Sequence, residues 1–474
     1  MSMQSSNQPS STASDSRGRL SRRGFLRASA AAAFAVSAGG LLAACAAPGG
    51  SPSSTGEGSS PSSEPIVLRL HMRAGSETSE PAIYVTRPQE FTEETGAQVQ
   101  LEPIPAEEYW AKIETLAASN TLGDNMFTDE KNWQHSRAVH FGLIQDIDEF
   151  MEADGISHDE WLPGVIGTCI INGKTYGLPK TGHPAHAYIW LNHDAFEEAG
   201  IPIPTSVEET TWDDYREWAN LLAKGDPDGR EVFGFHMPTN NIQMIINAIR
   251  VFGGWELTED GTQSPATDDG WKGSVRFAHA LYQEDKVMPL ASDLGTGGTI
   301  GLFAAGRLPM MVASRGTNQS VREAVGPEDG STGGFKWSAI GLAQGPESNG
   351  WGASLNTHAG TTQSPHKYES FLLTYALSDA RFAYLNANEI GYLVGRTNEL
   401  EEIGPAAEDP FIRLQHAEYS KGVPYRIGAN YRGLEWEQAI RNTTDLVYLG
   451  EREPDDAFFE ELATTLNDLL ARPI

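Results

Sequence analysis

"PIVLRLHMR", Pro65 to Arg73, sets Ile66, Leu68, Leu70 and Met72 on one side of an extended chain and Arg69, His71 and Arg73 on the other. This period of two marks a half-buried strand. A helical stretch follows from about Ala82 to Thr95, and Gly96 stands where a helix C-cap belongs. "AQVQLEPIP" (97–105) reads as a second strand. "AEEYWAKIETLAASN" (106–120) carries Tyr109, Ile113 and Leu116 on one face and reads as a second helix, and "DNMFTDE" (124–130) as a third strand. Strand, helix, strand, helix, strand predicts an open parallel α/β sheet. Ligands of such sheets lie outside the carboxyl ends of the strands. "HMRAGSE" (71–77) and "FTDEKNW" (127–133) are therefore candidate site segments, with Arg73, Asp129 and Trp133 in them.

The same logic extends along the chain. "TWDDYREWANLLAKG" (211–225) opens with Thr211 as N-cap and Asp214 three residues on. Tyr215, Trp218, Ala219 and Leu222 form its apolar stripe, and Gly225 is expected to close the helix. "SPHKYESFLLTYALSDARFAYLNANEIG" (364–391) predicts two helices breaking near Ser378-Asp379. The last helix packs Phe459, Leu462, Leu466 and Leu469. "GTGGTIG" (295–301) lacks dinucleotide-fingerprint spacing and is expected to be a plain loop.

The N-terminus has another character. "SRRGFLRASAAAAFAVSAGGLLAAC" (21–45) joins two arginines, a mild apolar run and a cysteine. Spanning a bilayer takes about 20 strongly apolar residues, so the run fits an export signal instead. Arg22-Arg23 with Gly24-Phe25-Leu26 resembles a twin-arginine signal. Leu42-Ala43-Ala44-Cys45 resembles a bacterial lipobox, which implies lipid on Cys45. Residues 1–44 are expected to be the signal peptide, and 45–64 a Ser-, Pro- and Gly-rich tether too polar to order itself by burial. The expected location is outside the cytoplasm, anchored to the outer face of the cytoplasmic membrane.

Roughly 410 residues follow the tether, more than one core usually serves, which argues for two domains. The formal net charge is −30. Arg17, Arg19, Arg22, Arg23 and Arg27 stand against Asp15 in the export segment, so the body is more acidic still. That balance argues against nucleic-acid binding, which needs a basic footprint, and against a large anionic ligand. With Cys45 lipidated only Cys169 remains, so no internal disulfide forms; Cys169 reads as a small core hydrophobe. No G-x-S-x-G, H-E-x-x-H or G-x-x-x-x-G-K-[ST] motif occurs. His183 and His186 form an H-x-x-H without a completing ligand nearby, and read as loop histidines rather than a metal site. No cofactor or metal is expected. Paired carboxylates of a glycosidase stay open, because 64 acidic residues offer many pairs.

"INGKTYGLPKTGHPAHAYIWLNHDAFEEAGIPIPTSVEETTWDDYREWANLLAKG" (171–225) resembles the central segment of family 1 extracellular solute-binding proteins, the receptors of ABC importers. "GKTYGLP", "YIWLNHDAFEEAGI" and the proline-rich loop before "TWDDY" carry the likeness. "FAAGRLPMMVASRG" (303–316) and "ESFLLTYALSDARFAYLNANEIGYLVGR" (369–396) extend it, as do "EFTEETGAQVQ" and "FGLIQDIDEFM". The likeness covers nearly all of the chain from about Glu64. Two departures stand out. The family often has Pro-Asp where Gly123-Asp124-Asn125 occurs here. An aromatic often follows the "MMVASRG" strand, where Gly316, Thr317 and Asn318 stand instead, leaving Arg315 as a polar contact.

The resemblance implies two discontinuous, doubly wound α/β lobes of the type II periplasmic-binding-protein kind, closing on a solute. The expected division is 65–178 plus 316–361 for the first lobe and 179–315 plus 362–474 for the second. Crossings are expected at "TYGLPK" (175–180), near Arg315 to Gln319 and near Thr361 to Ser364. The implied role is capture of a sugar or oligosaccharide by a monomer, with delivery to an ABC permease and its ATPase. A surface glycoside hydrolase, a scaffold or adhesin, and a receptor for glycerol phosphate esters, polyamines or metal complexes are the alternatives. Sugars ask for planar polar side chains and flat aromatics. Trp133, Asn240, Trp255, Arg315, Trp351, Tyr392, Arg396, Tyr431 and Arg432 lie near expected loop ends and join Arg73 and Asp129 as candidates. Trp351, between Gly350 and Gly352, is either an aromatic platform of the first lobe or a core plug. Tyr431 is either its counterpart or an exposed loop residue.

Overall fold

The computed structural model describes residues 65–74, 80–129, 134–184, 186–207, 210–226, 229–345, 348–426 and 430–473. The twin-arginine stretch, Cys45, the tether and Trp133 lie outside the described residues. Among the described residues no helix is long and apolar enough to cross a membrane.

The alternation in Pro65–Arg73 does become a strand, β1 (Val67–Ala74), with Leu68 and Leu70 fully buried. Helix Glu80–Thr95 returns the chain to β2 (Gln98–Pro105), parallel to β1. Helix Tyr109–Ala118, burying Tyr109 and Ile113, leads to β3 (Asn125–Asp129) on the other side of β1. Three strands from farther along complete this sheet, six-stranded among the described residues. β4 (Leu178–Pro184) pairs antiparallel with the later strand Gly352–Gly360, which itself pairs antiparallel with β3.

The chain then enters a second sheet. β5 (Tyr188–Asn192) is its centre, flanked antiparallel by β6 (Met310–Ala313) and β7 (Trp337–Gly341). It returns to the first sheet as β8 (Gly352–Gly360), beside which β9 (Val423–Pro424) lies parallel. Helices Gly433–Tyr448 and Asp456–Leu470 end the chain.

Each sheet has apolar cores of its own. On the first, one core joins Leu68, Leu70, Leu355, Phe371 and Phe382, and another joins Tyr109, Ile113, Met126 and Phe127. On the second, one joins Ile189, Leu191, Trp212, Ile249, Trp436 and Phe459, and another joins Tyr188, Trp190, Phe303, Met311 and Trp337. Several local expectations hold in detail. Thr211 and Asp214 form a reciprocal capping box on helix Trp212–Leu222. Asp379 caps the second of two helices, Lys367–Ala376 and Ala380–Ile390, at the expected break. Cys169 is a buried cysteine outside any disulfide among the described residues.

Other expectations are corrected. Residues 295–301 are not all loop: helix Gly298–Ala304 begins within them and buries Leu302 and Phe303. Gly225 sits in a tight hairpin at φ +90°, three residues beyond the helix it was expected to close. Gly177 does have the left-handed φ, +74°, but the bend feeds β4 inside the first sheet. The chain passes between sheets later, between Pro184 and Tyr188. It passes again between Gly341 and Gly352, and a third time between Pro424 and Gly433. Neither 315–319 nor 361–364 is a crossing: Thr317–Val325 is a helix of the second sheet, and Thr361 continues directly from β8. Consequently β7, expected with the first lobe, pairs in the second sheet, whereas β4 and helices 367–376 and 380–390, expected with the second lobe, pack with the first sheet.

Candidate functional site

Strand direction decides where a site can form. β1, β2 and β3 are parallel, so Ala74, Pro105 and Asp129 share one edge of the first sheet. β4 ends and β8 begins at that edge, next to the crossings. In the second sheet Tyr188, Ala313 and Gly341 are mutual partners at the edge where the chain arrives. The two sheets therefore turn carboxyl strand ends toward each other across the crossings, which is where α/β sheets bind ligands.

A cavity of about 760 Å³ lies between elements of the two sheets. One wall is Arg315 to Glu323, the turn and helix after β6. The other is built from the end of helix Ala380–Ile390, the loop through Tyr392, and helix Pro410–Tyr419. Asn318, Gln319, Asn388 and Gln415 bring planar amides to it, and Tyr392 and Phe411 bring rings.

Arg315 is the unusual member. It is 8% exposed, and its guanidinium carbon lies 3.3 Å from the centre of the Tyr392 ring. Its Nε and Nη1 find no acceptor among the described residues. Neighbouring buried groups are also unsaturated: the hydroxyls of Tyr188 and Tyr419, and Oε1 of Gln415. Burial pushes both phenols well above their ordinary range, so they stay neutral.

The loop carrying Tyr392 is pinned from below. Buried Glu399 accepts N–H bonds from Val394 (2.6 Å), Gly395 (2.8 Å) and Arg396 (3.0 Å). Burial raises its carboxyl to about 7 against those three bonds.

The expected site residues separate into groups. Arg315 and Tyr392 meet in the cavity. Arg73 and Asp129 stand on neighbouring strands at the first sheet's carboxyl edge, both close enough to bear electrostatically on Tyr109. Tyr431, within the third crossing, stacks on His140 of the first sheet's helix Gln134–His140 at 4.0 Å, so it is not a free loop residue. Asn240 is exposed, and its carbonyl accepts from Arg441. Trp255 has the Arg426 guanidinium 3.5 Å over its ring.

Three candidates are corrected to structural roles. Trp351 is fully buried in a core of the second sheet, and its Nε1 donates to Glu418 at 3.2 Å. Arg396 is 6% exposed and ion-paired to Glu402 (2.7 Å) and Glu160 (3.3 Å). Arg432 donates to the carbonyls of Arg472 and Pro473 and so ties down the chain's end. Gln415, Tyr188 and Tyr419 escaped the sequence reading. Each sits in a helix or strand pattern that reads as plain core.

Residues 87–409, more than half of the chain, match the family model of bacterial extracellular solute-binding proteins. No protein of curated function matches the sequence. Solved structures share the fold. The sugar-binding protein MalE of Xanthomonas citri aligns at TM-score 0.72 and 17% identity, over 86% of this chain and 98% of its own. An ABC substrate-binding protein of Listeria monocytogenes, in complex with cycloalternan, gives 0.69 and 16%, over 86% and 100%. UgpB of Mycobacterium tuberculosis, in complex with glycerophosphocholine, gives 0.67 and 16%, over 86% and 98%. At such identities the likeness speaks for the fold alone. With two α/β sheets facing across three crossings and the family match along its length, the chain belongs to the bacterial extracellular solute-binding proteins and has their type II periplasmic-binding fold.

Proposed function

We propose that this chain is the solute receptor of an ABC importer, that it captures a sugar or oligosaccharide between its two lobes, and that lipid on Cys45 holds it to the membrane. The first lobe is taken as 65–184 with 352–424 and the second as 188–341 with 433–473, following the sheets and cores. The observation that carries the reading is the cavity of about 760 Å³ between the lobes, walled by amides and two rings. Amides hydrogen-bond pairwise to ring hydroxyls, and flat rings cover C–H faces. Arg73 and Asp129 at the first sheet's edge are proposed as further polar contacts. Closure about the three crossings is the expected motion.

Isothermal titration of the mature chain against a carbohydrate library tests the reading, with small-angle scattering on any binder. Saturating binding without product formation and a smaller radius of gyration are expected. Sugar hydrolysis would favour the surface hydrolase, and no binder in the library would remove sugars as the solute class. For the anchor, Cys45→Ser is expected to move the protein from the membrane fraction to the medium or leave it unprocessed. An unmodified wild-type chain in intact-mass spectrometry overturns the lipid.

A further inference from the structure

Four arginines among the described residues are buried. Three have carboxylates. Arg87 pairs with Asp379 (2.7 Å) and Glu94 (3.1 Å), Arg250 with Glu256 (2.6 Å), and Arg396 with Glu402 and Glu160. Arg315 has no carboxylate within ion-pair distance among the described residues, and it is the one that lines the cavity. A buried cation without a counter-charge is unfavourable, because the lost hydration is not replaced. The Tyr392 face offsets part of that loss. It does nothing for Nε and Nη1, whose acceptors are missing. The other cation on the wall, Arg322, is neutralised twice, by Asp409 (2.9 Å) and Glu328 (2.6 Å). Among the described residues Arg315 is therefore the buried cation of the cavity that has no ion-paired carboxylate, although Glu323 and Glu389 also stand on the lining.

We propose that the solute carries a single anionic group, a carboxylate or a phosphate ester, and that Arg315 receives it. This deepens the carbohydrate reading above and rests on it: the solute becomes an acidic rather than a neutral sugar. Nε with Nη2, or Nη1 with Nη2, forms a fork that matches two oxygens of a carboxylate or phosphate, so one anion takes up one of the two orphaned atoms of Arg315. Gln415 and the hydroxyls of Tyr188 and Tyr419 border the same position and supply further polar partners. The overall charge of −30 repels polyanions at a distance, which fits a small ligand with one charge.

Two measurements decide it. In the first, the mature chain is titrated with galacturonate and its neutral methyl ester, and with glucose 1-phosphate and glucose. At least tenfold tighter binding of one charged member over its neutral partner is expected, and Arg315→Gln is expected to erase the difference. The arm that responds tells carboxylate from phosphate. Neutral members binding as tightly as charged ones would overturn the anion while leaving the carbohydrate reading intact. No binding by any of the four counts against the carbohydrate reading, and the second measurement then decides on Arg315 alone. It needs no ligand. Arg315→Met keeps the length of the side chain and removes the unpaired charge, so the melting midpoint of the free protein is expected to hold or rise. A fall comparable to that of Arg250→Met would show that Arg315 is satisfied by the fold, and would overturn the proposal.

Discussion

Two buried arginines sit at the junction of the lobes and are treated in opposite ways. Arg250, on helix Ile242–Val251, makes a two-point ion pair with Glu256, both side chains wholly buried. Its guanidinium also donates to the carbonyls of Val423 (3.2 Å) and Pro424 (3.0 Å), and Glu256 accepts the N–H of Arg426 (2.8 Å). The same helix offers the side-chain Oδ1 of Asn247 to the N–H of Gly352. Two of the three crossings are thus tied to one helix of the second lobe by groups whose charged atoms all have partners. Arg315, on the cavity side, has capacity left and no carboxylate. The same residue type serves as a fixed tie where it is saturated and as a candidate receptor where it is not.

The largest expected effect comes from breaking the saturated side. Arg250→Met leaves Glu256 buried without its cation, a loss expected to cost about 3–5 kcal/mol. Denaturant unfolding measures it. A cost near zero would mean that the crossings do not depend on this pair, and the contrast with Arg315 would collapse.

A smaller effect sharpens the cavity side through Glu399, which pins the Tyr392 loop. Its folded value, about 7, lies above the ordinary 4.5. The folded state therefore holds that proton more tightly than the unfolded chain. The resulting stability is fully present below about 4.5 and is lost as pH rises through about 7. Between pH 5 and 8 the wild type is expected to lose about 1–3 kcal/mol relative to Glu399→Gln. Parallel pH profiles for the two proteins would show that the three N–H bonds keep the carboxylate charged throughout.

These residues also show what the sequence disclosed. Local signals were legible: the capping box at Thr211, the helix break at Asp379 and the alternation in β1 each involve partners within a few positions. The family resemblance supplied the two-lobed fold. The crossings were misplaced because they depend on which strands pair, and β8 finds β3 and β4 across more than 160 residues. Trp351 shows the limit most clearly. Its flanking glycines rightly signalled a close approach, since a Cβ on Gly352 would lie 2.1 Å from the Tyr425 ring. The approaching group is part of the fold, not a ligand, and a glycine does not say which. Arg315 drew notice where an aromatic was expected. Its burial and its solitude among carboxylates depend on Tyr392 and helix Pro410–Tyr419, far along the chain.

The smallest effect probes the contact between these extremes. Arg322 and Asp409 join the two walls of the cavity at 2.9 Å, with side chains 32% and 31% exposed. A pair so open to water is expected to contribute less than about 1 kcal/mol. Asp409 also caps helix Pro410–Tyr419 by accepting the N–H of Phe411 at 2.7 Å. Asp409→Asn is the informative change, because asparagine caps equally well and only the charge is lost. Unfolding should show the small loss. Removing a negative charge from the rim should at the same time tighten binding of an anionic solute at Arg315, by about two- to threefold at low salt. The gain should vanish near 1 M salt, where screening acts within about 3 Å. Neutral solutes should not respond to either change. A stability loss as large as that of Arg250→Met would instead make Arg322–Asp409 the principal tie between the lobes, and the division between a saturated hinge and an unsaturated cavity would have to be redrawn.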